Sequence, residues 1–122
     1  MFRVPAKPLI AIVEDDESLR PALIGLVRSL GYDGEGFVSA EAFLAGDCAS
    51  RADCLVSDLQ LPGISGLELI EKIGRGLPAI LVTARTERSI DERAREGRVL
   101  CLLRKPFEAE DLAGCIRRAL DS

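Results

Sequence analysis

Histidine is absent from this 122-residue chain, and that omission alone removes whole classes of chemistry. No zinc site that needs imidazole, no Ser-His or Cys-His nucleophile pair and no phosphohistidine of its own can be assembled. A basic excess is also missing. The net charge is -4 and the sequence pI about 4.9, which argues against direct nucleic acid binding, because a phosphate backbone calls for a basic face. The four cysteines, Cys48, Cys54, Cys101 and Cys115, show no C-x-x-C spacing. Cys54 and Cys101 lie in apolar runs, all four are read as small core residues, and a reducing compartment is the simplest setting. Long apolar runs are lacking as well. After Arg3 and Lys7 only five apolar residues, Leu9 to Val13, precede a block of acids, too few for a signal peptide or a membrane span. A cytoplasmic location and no membrane partner are expected.

What is present describes one ordinary domain, expected to span residues 1–122. With 48% hydrophobic and 30% charged residues, the chain has the composition of a globular protein, and its length buries roughly two thirds of the unfolded surface. Short apolar runs alternate with helical patterns. Leu9–Val13 suits a strand buried on both faces. Leu19, Ala22, Leu23, Leu26, Val27 and Leu30 then recur at helical spacing up to Gly31, and Pro21 requires this helix to begin close to Ser18. A weak strand from Gly34 to Val38 precedes a helix capped by Ser39 and running through Leu44 and Ala45.

Cys54-Leu55-Val56-Ser57 is the third strand and leads into Asp58. Ser65-Gly66-Leu67-Glu68 fits a capping box for a helix burying Leu67, Ile70 and Ile73. Ala79-Ile80-Leu81-Val82-Thr83 is the fourth strand. Between Thr86 and Gly97, Ile90 and Ala94 are the only apolar residues, so a helix there is thinly anchored. Val99–Leu103 is the fifth strand, and after Lys105-Pro106-Phe107 a last helix carries Leu112, Ile116, Ala119 and Leu120. Five strands alternating with five helices imply right-handed crossovers, a parallel sheet and a doubly wound α/β fold. The arginines Arg93, Arg95, Arg98, Arg104, Arg117 and Arg118 are interleaved with Asp91, Glu92 and Glu96, which favours a solvated charged face over a partner surface.

In such a sheet ligands lie outside the carboxyl ends of the strands. The residues just past those ends are Glu14 and Asp15, Asp58, Thr83 and Lys105. Three carboxylates within roughly 5 Å of one another repel by about 3 kcal/mol per pair at an effective dielectric near 20, so either their pKa values rise or a cation joins them. A hard divalent ion such as Mg²⁺ suits oxygen ligands of this kind. Lys105 and Thr83 add a cation and a hydroxyl, groups needed around a phosphoryl group, and the set together indicates phosphoryl transfer to a carboxylate nucleophile. Asp16 and Glu17 lie where the first helix begins and suit its N-terminal dipole instead.

Ile12-Val13-Glu14-Asp15, Ser57-Asp58-Leu59-Gln60-Leu61-Pro62-Gly63-Ile64-Ser65-Gly66, Val82-Thr83-Ala84 and Lys105-Pro106-Phe107, in that order and spacing over nearly the whole chain, resemble the receiver domain of two-component response regulators. The resemblance implies a flavodoxin-like (β/α)5 fold with strand order 2-1-3-4-5, the order of the chemotaxis regulator that serves as a general example of such sheets. It implies that Asp58 accepts a phosphoryl group from a sensor histidine kinase or phosphotransfer protein. Asp15, Glu14, Asp58 and the Gln60 backbone carbonyl would hold Mg²⁺ or Mn²⁺. Thr83 and Lys105 would bind phosphoryl oxygens, Ala84 would leave room for a donor or water, and Gln60 and Arg85 would modulate the lifetime of the phosphoryl group. The Lys105-Pro106 peptide is cis in similar domains.

Leu102 departs from the family, since it stands where an aromatic residue usually couples threonine movement to a ring rotation. Phosphorylation would change the surface of the fourth helix, fifth strand and fifth helix, which would meet a downstream protein, a fused output domain or a second copy. Only slow self-phosphorylation and self-dephosphorylation are expected, not metabolic catalysis. Two other classes compete. A haloacid dehalogenase-like phosphatase wants a second aspartate where Gln60 stands, and a small flavin-binding protein wants stacking aromatics beside the crevice. The chain ends at Ser122, just past its last helix, which suits either a stand-alone protein or the receiver of a longer DNA-binding regulator.

Overall fold

The computed structural model describes residues 7–74 and 76–121; Arg3 and Ser122 lie outside the described residues. Five strands, β1 (Leu9–Val13), β2 (Asp33–Phe37), β3 (Cys54–Asp58), β4 (Ala79–Thr83) and β5 (Val99–Arg104), form one sheet in the order β2-β1-β3-β4-β5, with every pairing parallel. This is the order that the resemblance implied. The helices are α1 (Leu19–Ser29), α2 (Ala40–Ala45), α3 (Cys48–Arg51), α4 (Gly66–Ile73), α5 (Arg88–Glu96) and α6 (Ala109–Asp121).

Alternation along the central strands sorts the core into two layers, because successive strand side chains point to opposite faces. Ala11, Val13, Leu55 and Leu81 pack with Phe43 of α2, Leu67, Leu69 and Ile70 of α4 and Ile90 of α5. Ile10, Ile12, Val56, Ile80 and Val82 pack with Leu23 and Val27 of α1 and Leu112 and Ile116 of α6. β3 and β4 are buried along their whole length, which is why they carry almost continuous apolar sequence. The edge strand β2, Asp-Gly-Glu-Gly-Phe, is half-exposed and lies one residue earlier than its sequence suggests. Its glycines serve packing: a Cβ at Gly36 would stand 2.6 Å from Ile24 Cδ1 and one at Gly34 2.8 Å from Val27 Cγ2.

Six helices rather than five stand among the described residues. The extra one, α3, is a single turn of four residues, shorter than the window over which helical periodicity can register. Ser39 caps α2 by accepting the Ala42 amide at 3.0 Å, and Ser65 and Glu68 close the capping box at the start of α4. At α1 the cap is not Ser18, whose side chain makes no capping bond. Asp16 Oδ1 accepts the amides of Ser18 at 2.8 Å and Leu19 at 2.9 Å instead. Ile73 and Leu120, expected in the core, are half-buried.

α4 reaches the sheet closely enough that its first residue tolerates no side chain. The Gly66 amide donates to the Leu59 carbonyl at 2.9 Å, and a Cβ at Gly66 would lie 2.2 Å from the Asp58 carbonyl oxygen and 2.9 Å from Leu81 Cδ1. Gly66→Ala must therefore push α4 off β3, and is expected to cost about 1–3 kcal/mol, the usual range for overpacking. Gly25, on the outer side of α1, has nothing within 4 Å of such a Cβ, and Gly25→Ala is expected to add about 0.5–1 kcal/mol through helix propensity. Urea unfolding of both variants checks the pair. α5 buries only Ile90 and Ala94, against five residues in α6. Amide exchange in residues 88–96 should thus outpace that in α6, and equal protection of the two helices would refute this.

Candidate functional site

The site follows from register. In the parallel sheet Val13 stands beside Ser57, and Asp58 beside Val82, so the residues that continue β1 and close β3, β4 and β5 emerge along one edge. Glu14 leaves β1 with its amide still bound to the Phe37 carbonyl at 2.9 Å, and the Lys105 amide holds the Thr83 carbonyl at 2.8 Å. Both residues are thereby fixed by strand-like backbone bonds rather than by loops.

At this edge Glu14, Asp15 and Asp58 present carboxylate oxygens that all lie within 4.8 Å of one another. Glu14 is 2% exposed and Asp58 9%, whereas Asp15 faces solvent. The Lys105 ammonium bridges the two buried acids, with Nζ 3.2 Å from Glu14 Oε1 and 3.3 Å from Asp58 Oδ2. The peptide bond after it, Lys105-Pro106, is cis. Burial pushes the Glu14 carboxyl above its ordinary range; the Asp16 amide resists this, the Asp58 charge adds to it, and Lys105 opposes it. Burial works against the Lys105 ammonium, but the charges of Asp58 and then Glu14 overcome it and raise its pKa. The pair of acids is therefore compensated by one cation, leaving net negative charge around Asp15. That all-oxygen donor set fits a hard divalent cation such as Mg²⁺.

Thr83 is buried at the end of β4, and its Oγ1 accepts the Arg85 amide at 3.0 Å. The Gln60 amide points at Asp58 Oδ1 from 3.4 Å. Ala84 is exposed and lines, with Lys105, Pro106, Phe107 and Leu23, an apolar groove of about 640 Å³ beside the site. The Arg85 guanidinium pairs with Glu87 at 3.0 Å. Leu102, half-buried, packs against the core layer that contains Leu81 and Ile90.

Several supporting residues carry no motif and escape inspection of the sequence. Arg20, the second residue of α1, donates from Nη1 to the Glu14 carbonyl at 2.9 Å and from Nη2 to Glu17 Oε2 at 2.7 Å. Glu41 of α2 accepts the Ile64 amide at 3.1 Å and so ties down the loop after Asp58. Arg104, placed by its sequence on a solvated face, instead joins two segments: it pairs with Asp91 of α5 at 2.5 Å and donates to the Arg85 carbonyl. Arg118 stays exposed, with Nη1 3.3 Å from Cys101 Sγ. Asp16 is held below the usual carboxylate range by the Leu19 and Ser18 amides, which separates its capping work from the site.

Comparison with known proteins agrees with this geometry. The family model for the response regulator receiver domain matches residues 10–117. The chain is 34% identical over 115 residues to the response regulator protein TodT of Pseudomonas putida, covering 92% of this chain and 51% of that protein. It is 36% identical over 115 residues to the response regulator protein TmoT of Ectopseudomonas mendocina, covering 92% and 52%. The chain thus spans about half the length of these curated relatives. Among solved structures, the response regulator StyR superposes with a TM-score of 0.86 at 37% identity, over 95% of this chain and 60% of that one. With the sheet order, the acidic edge and the bridging lysine already in place, these matches show that the chain belongs to the response regulator receiver domain family.

Proposed function

We propose that this domain is a phosphoacceptor in two-component signalling, taking a phosphoryl group from a sensor kinase's phosphohistidine onto Asp58. The observation that carries this reading is the Lys105 ammonium set between Glu14 and Asp58, with Asp15 and the Thr83 hydroxyl at the same edge. An Asp58 oxygen attacks phosphorus, the P–N bond to the donor imidazole breaks, and an acyl phosphate forms on Asp58. Lys105 neutralises charge on one phosphoryl oxygen while remaining within reach of Glu14. Thr83 donates its hydroxyl to another. Glu14, Asp15, Asp58 and the Gln60 carbonyl would hold a divalent cation, Mg²⁺ or Mn²⁺, which when bound supplies positive charge to the transferring group.

The Thr83 hydroxyl now accepts the Arg85 amide, and the Arg85 carbonyl is held by Arg104, which also holds Asp91. Movement of Thr83 toward a phosphoryl group therefore pulls on the start of α5 without an aromatic ring at Leu102. The responding surface is α5, β5 and α6, and it serves a downstream protein, an output domain or a second copy. Coverage of only about half of TodT and TmoT supports a second reading of context, in which the domain is the receiver of a longer transcriptional regulator. The domain has slow self-phosphorylation and self-dephosphorylation chemistry and no metabolic substrate. Gln60, two residues past Asp58, weighs against a dehalogenase-like phosphatase.

Incubation with Mg²⁺ and acetyl phosphate, followed by intact mass, is expected to give one phosphoryl adduct on the wild type and none on Asp58→Asn; an undiminished adduct in the variant would overturn the assignment. Neighbouring acids should separate cleanly. Asp15→Asn is expected to weaken Mg²⁺ binding by about tenfold or more, the scale on which metal sites respond to lost carboxylate support, as read by titration calorimetry. Asp16→Ala should lower the urea midpoint through loss of the α1 cap and leave Mg²⁺ affinity unchanged.

A further inference from the structure

Glu14 and Asp58 are buried and fixed by Lys105, whereas Asp15 is exposed and takes its position from the chain on either side of it. Before it, the Glu14 amide is held by the Phe37 carbonyl at 2.9 Å, and the Glu14 carbonyl, part of the peptide that joins Glu14 to Asp15, accepts from Arg20 Nη1 at 2.9 Å. After it, the Asp16 amide donates to Glu14 Oε2 at 3.1 Å and the Asp16 carbonyl accepts the Arg20 amide at 3.0 Å. Arg20 thus holds both flanks of Asp15, one with its side chain and the other with its backbone. The guanidinium is itself confined. Nη2 donates to Glu17 Oε2 at 2.7 Å, the side chain is only 19% exposed, and its stem lies so close to β2 that a Cβ at Gly36 would stand 3.2 Å from Arg20 Cγ and 3.3 Å from Cδ. Only a planar fork holds a carbonyl and a carboxylate at once in this way, and a lysine has none.

We propose that Arg20 is the positioning residue that makes the acidic edge selective for Mg²⁺ over larger divalent cations such as Ca²⁺. The inference rests on the reading of Glu14, Asp15 and Asp58 as a cation site, and deepens it. Charge alone predicts the reverse. A guanidinium beside a cation site repels every divalent ion, so removing it would tighten the binding of all of them alike. That effect is the weaker one here, because Glu17 compensates the guanidinium and its own side chain, 78% exposed, leaves the pair screened by solvent and salt. Geometry works the other way. The bond from Arg20 fixes the plane of the peptide between Glu14 and Asp15, and with it the direction in which Asp15 leaves the backbone. Mg²⁺ is small, demands near-ideal octahedral ligation and gives up water reluctantly, so it gains from a carboxylate already in place; Ca²⁺ accepts oxygens in looser arrangements and gains little. Once the peptide is free to rotate, the loss falls on the ion that tolerates least rearrangement.

Titration calorimetry of the whole chain with MgCl₂ and with CaCl₂ tests this in the wild type, in Arg20→Met, which keeps an apolar stem, and in Arg20→Lys, which keeps the charge. The wild type is expected to prefer Mg²⁺. Arg20→Met is expected to bind Mg²⁺ about tenfold more weakly, the scale on which metal sites respond to loss of an outer support, and Ca²⁺ within about threefold of wild type, since that ion adapts to its ligands. Arg20→Lys should move the ratio of the two affinities in the same direction and less far. Tighter binding of both ions in Arg20→Met, an equal loss for both, or an unchanged ratio would overturn the inference and leave the cation site standing. A wild type that binds neither ion would overturn that site and the inference together, and one without preference for Mg²⁺ would overturn the inference alone. Circular dichroism checks that the variants fold, and the ratio in Arg20→Lys decides the outcome if Arg20→Met does not.

Discussion

A lysine beyond the end of β5 reaches past β4 to place its ammonium between acids carried by β1 and β3, 3.2 Å from Glu14 and 3.3 Å from Asp58. Two buried carboxylates on neighbouring strands are tolerable only with such compensation, since a buried unpaired charge is among the most costly features a fold can hold. Much of the local architecture is subordinate to it. Parallel register aligns the strand ends, the Lys105 amide is locked to the Thr83 carbonyl, and Arg20 holds the backbone of Glu14 from the other side. One positive charge against three acids leaves the edge short of cations, and that deficit suits the three carboxylates to hold a divalent cation.

The sheet was legible because its central strands are buried on both faces and therefore spelled in continuous apolar letters, as in Cys54-Leu55-Val56 and Ala79-Ile80-Leu81-Val82. β2 was less so. Its glycines are demanded by α1, whose Ile24 and Val27 occupy the space that side chains would fill, and that demand is invisible until the helix is placed. α3 escaped because one turn between Asp47 and Ala52 is held by local backbone bonds and the Ser50 hydroxyl, not by an apolar stripe. The strand order came from the family resemblance, because alternation of elements alone fixes handedness and not neighbours.

Of the site, the residues at strand ends were accessible to sequence reasoning since topology sends them all to one edge. Their supports were not. Glu41 is 23 residues before Ile64 in number yet holds its amide, and Arg104 reads as one more surface arginine until β5 sets it between Asp91 and the Arg85 carbonyl. Such residues act by where their elements meet. A pattern along the chain carries no trace of that, so charge patterning grouped Arg104 with solvated arginines although it turns toward partners in the fold.

The run Glu14-Asp15-Asp16-Glu17 shows how finely one edge divides its labour. Glu14 is buried and paired with Lys105, while Asp15 is exposed beside it and completes the acid triplet. Asp16 turns back to the amides of Ser18 and Leu19, and Glu17 to Arg20. The Asp16 amide in turn donates to Glu14 Oε2 at 3.1 Å, so the residue that starts the helix also steadies the first acid of the site. Composition registers four equal carboxylates. The backbone makes them unequal: the strand ends at Val13, the helix begins at Leu19, and the five residues between must satisfy the helix donors as well as the crevice. With one acid turned to each demand, neither the α1 terminus nor the half-buried lysine lacks its counter-charge.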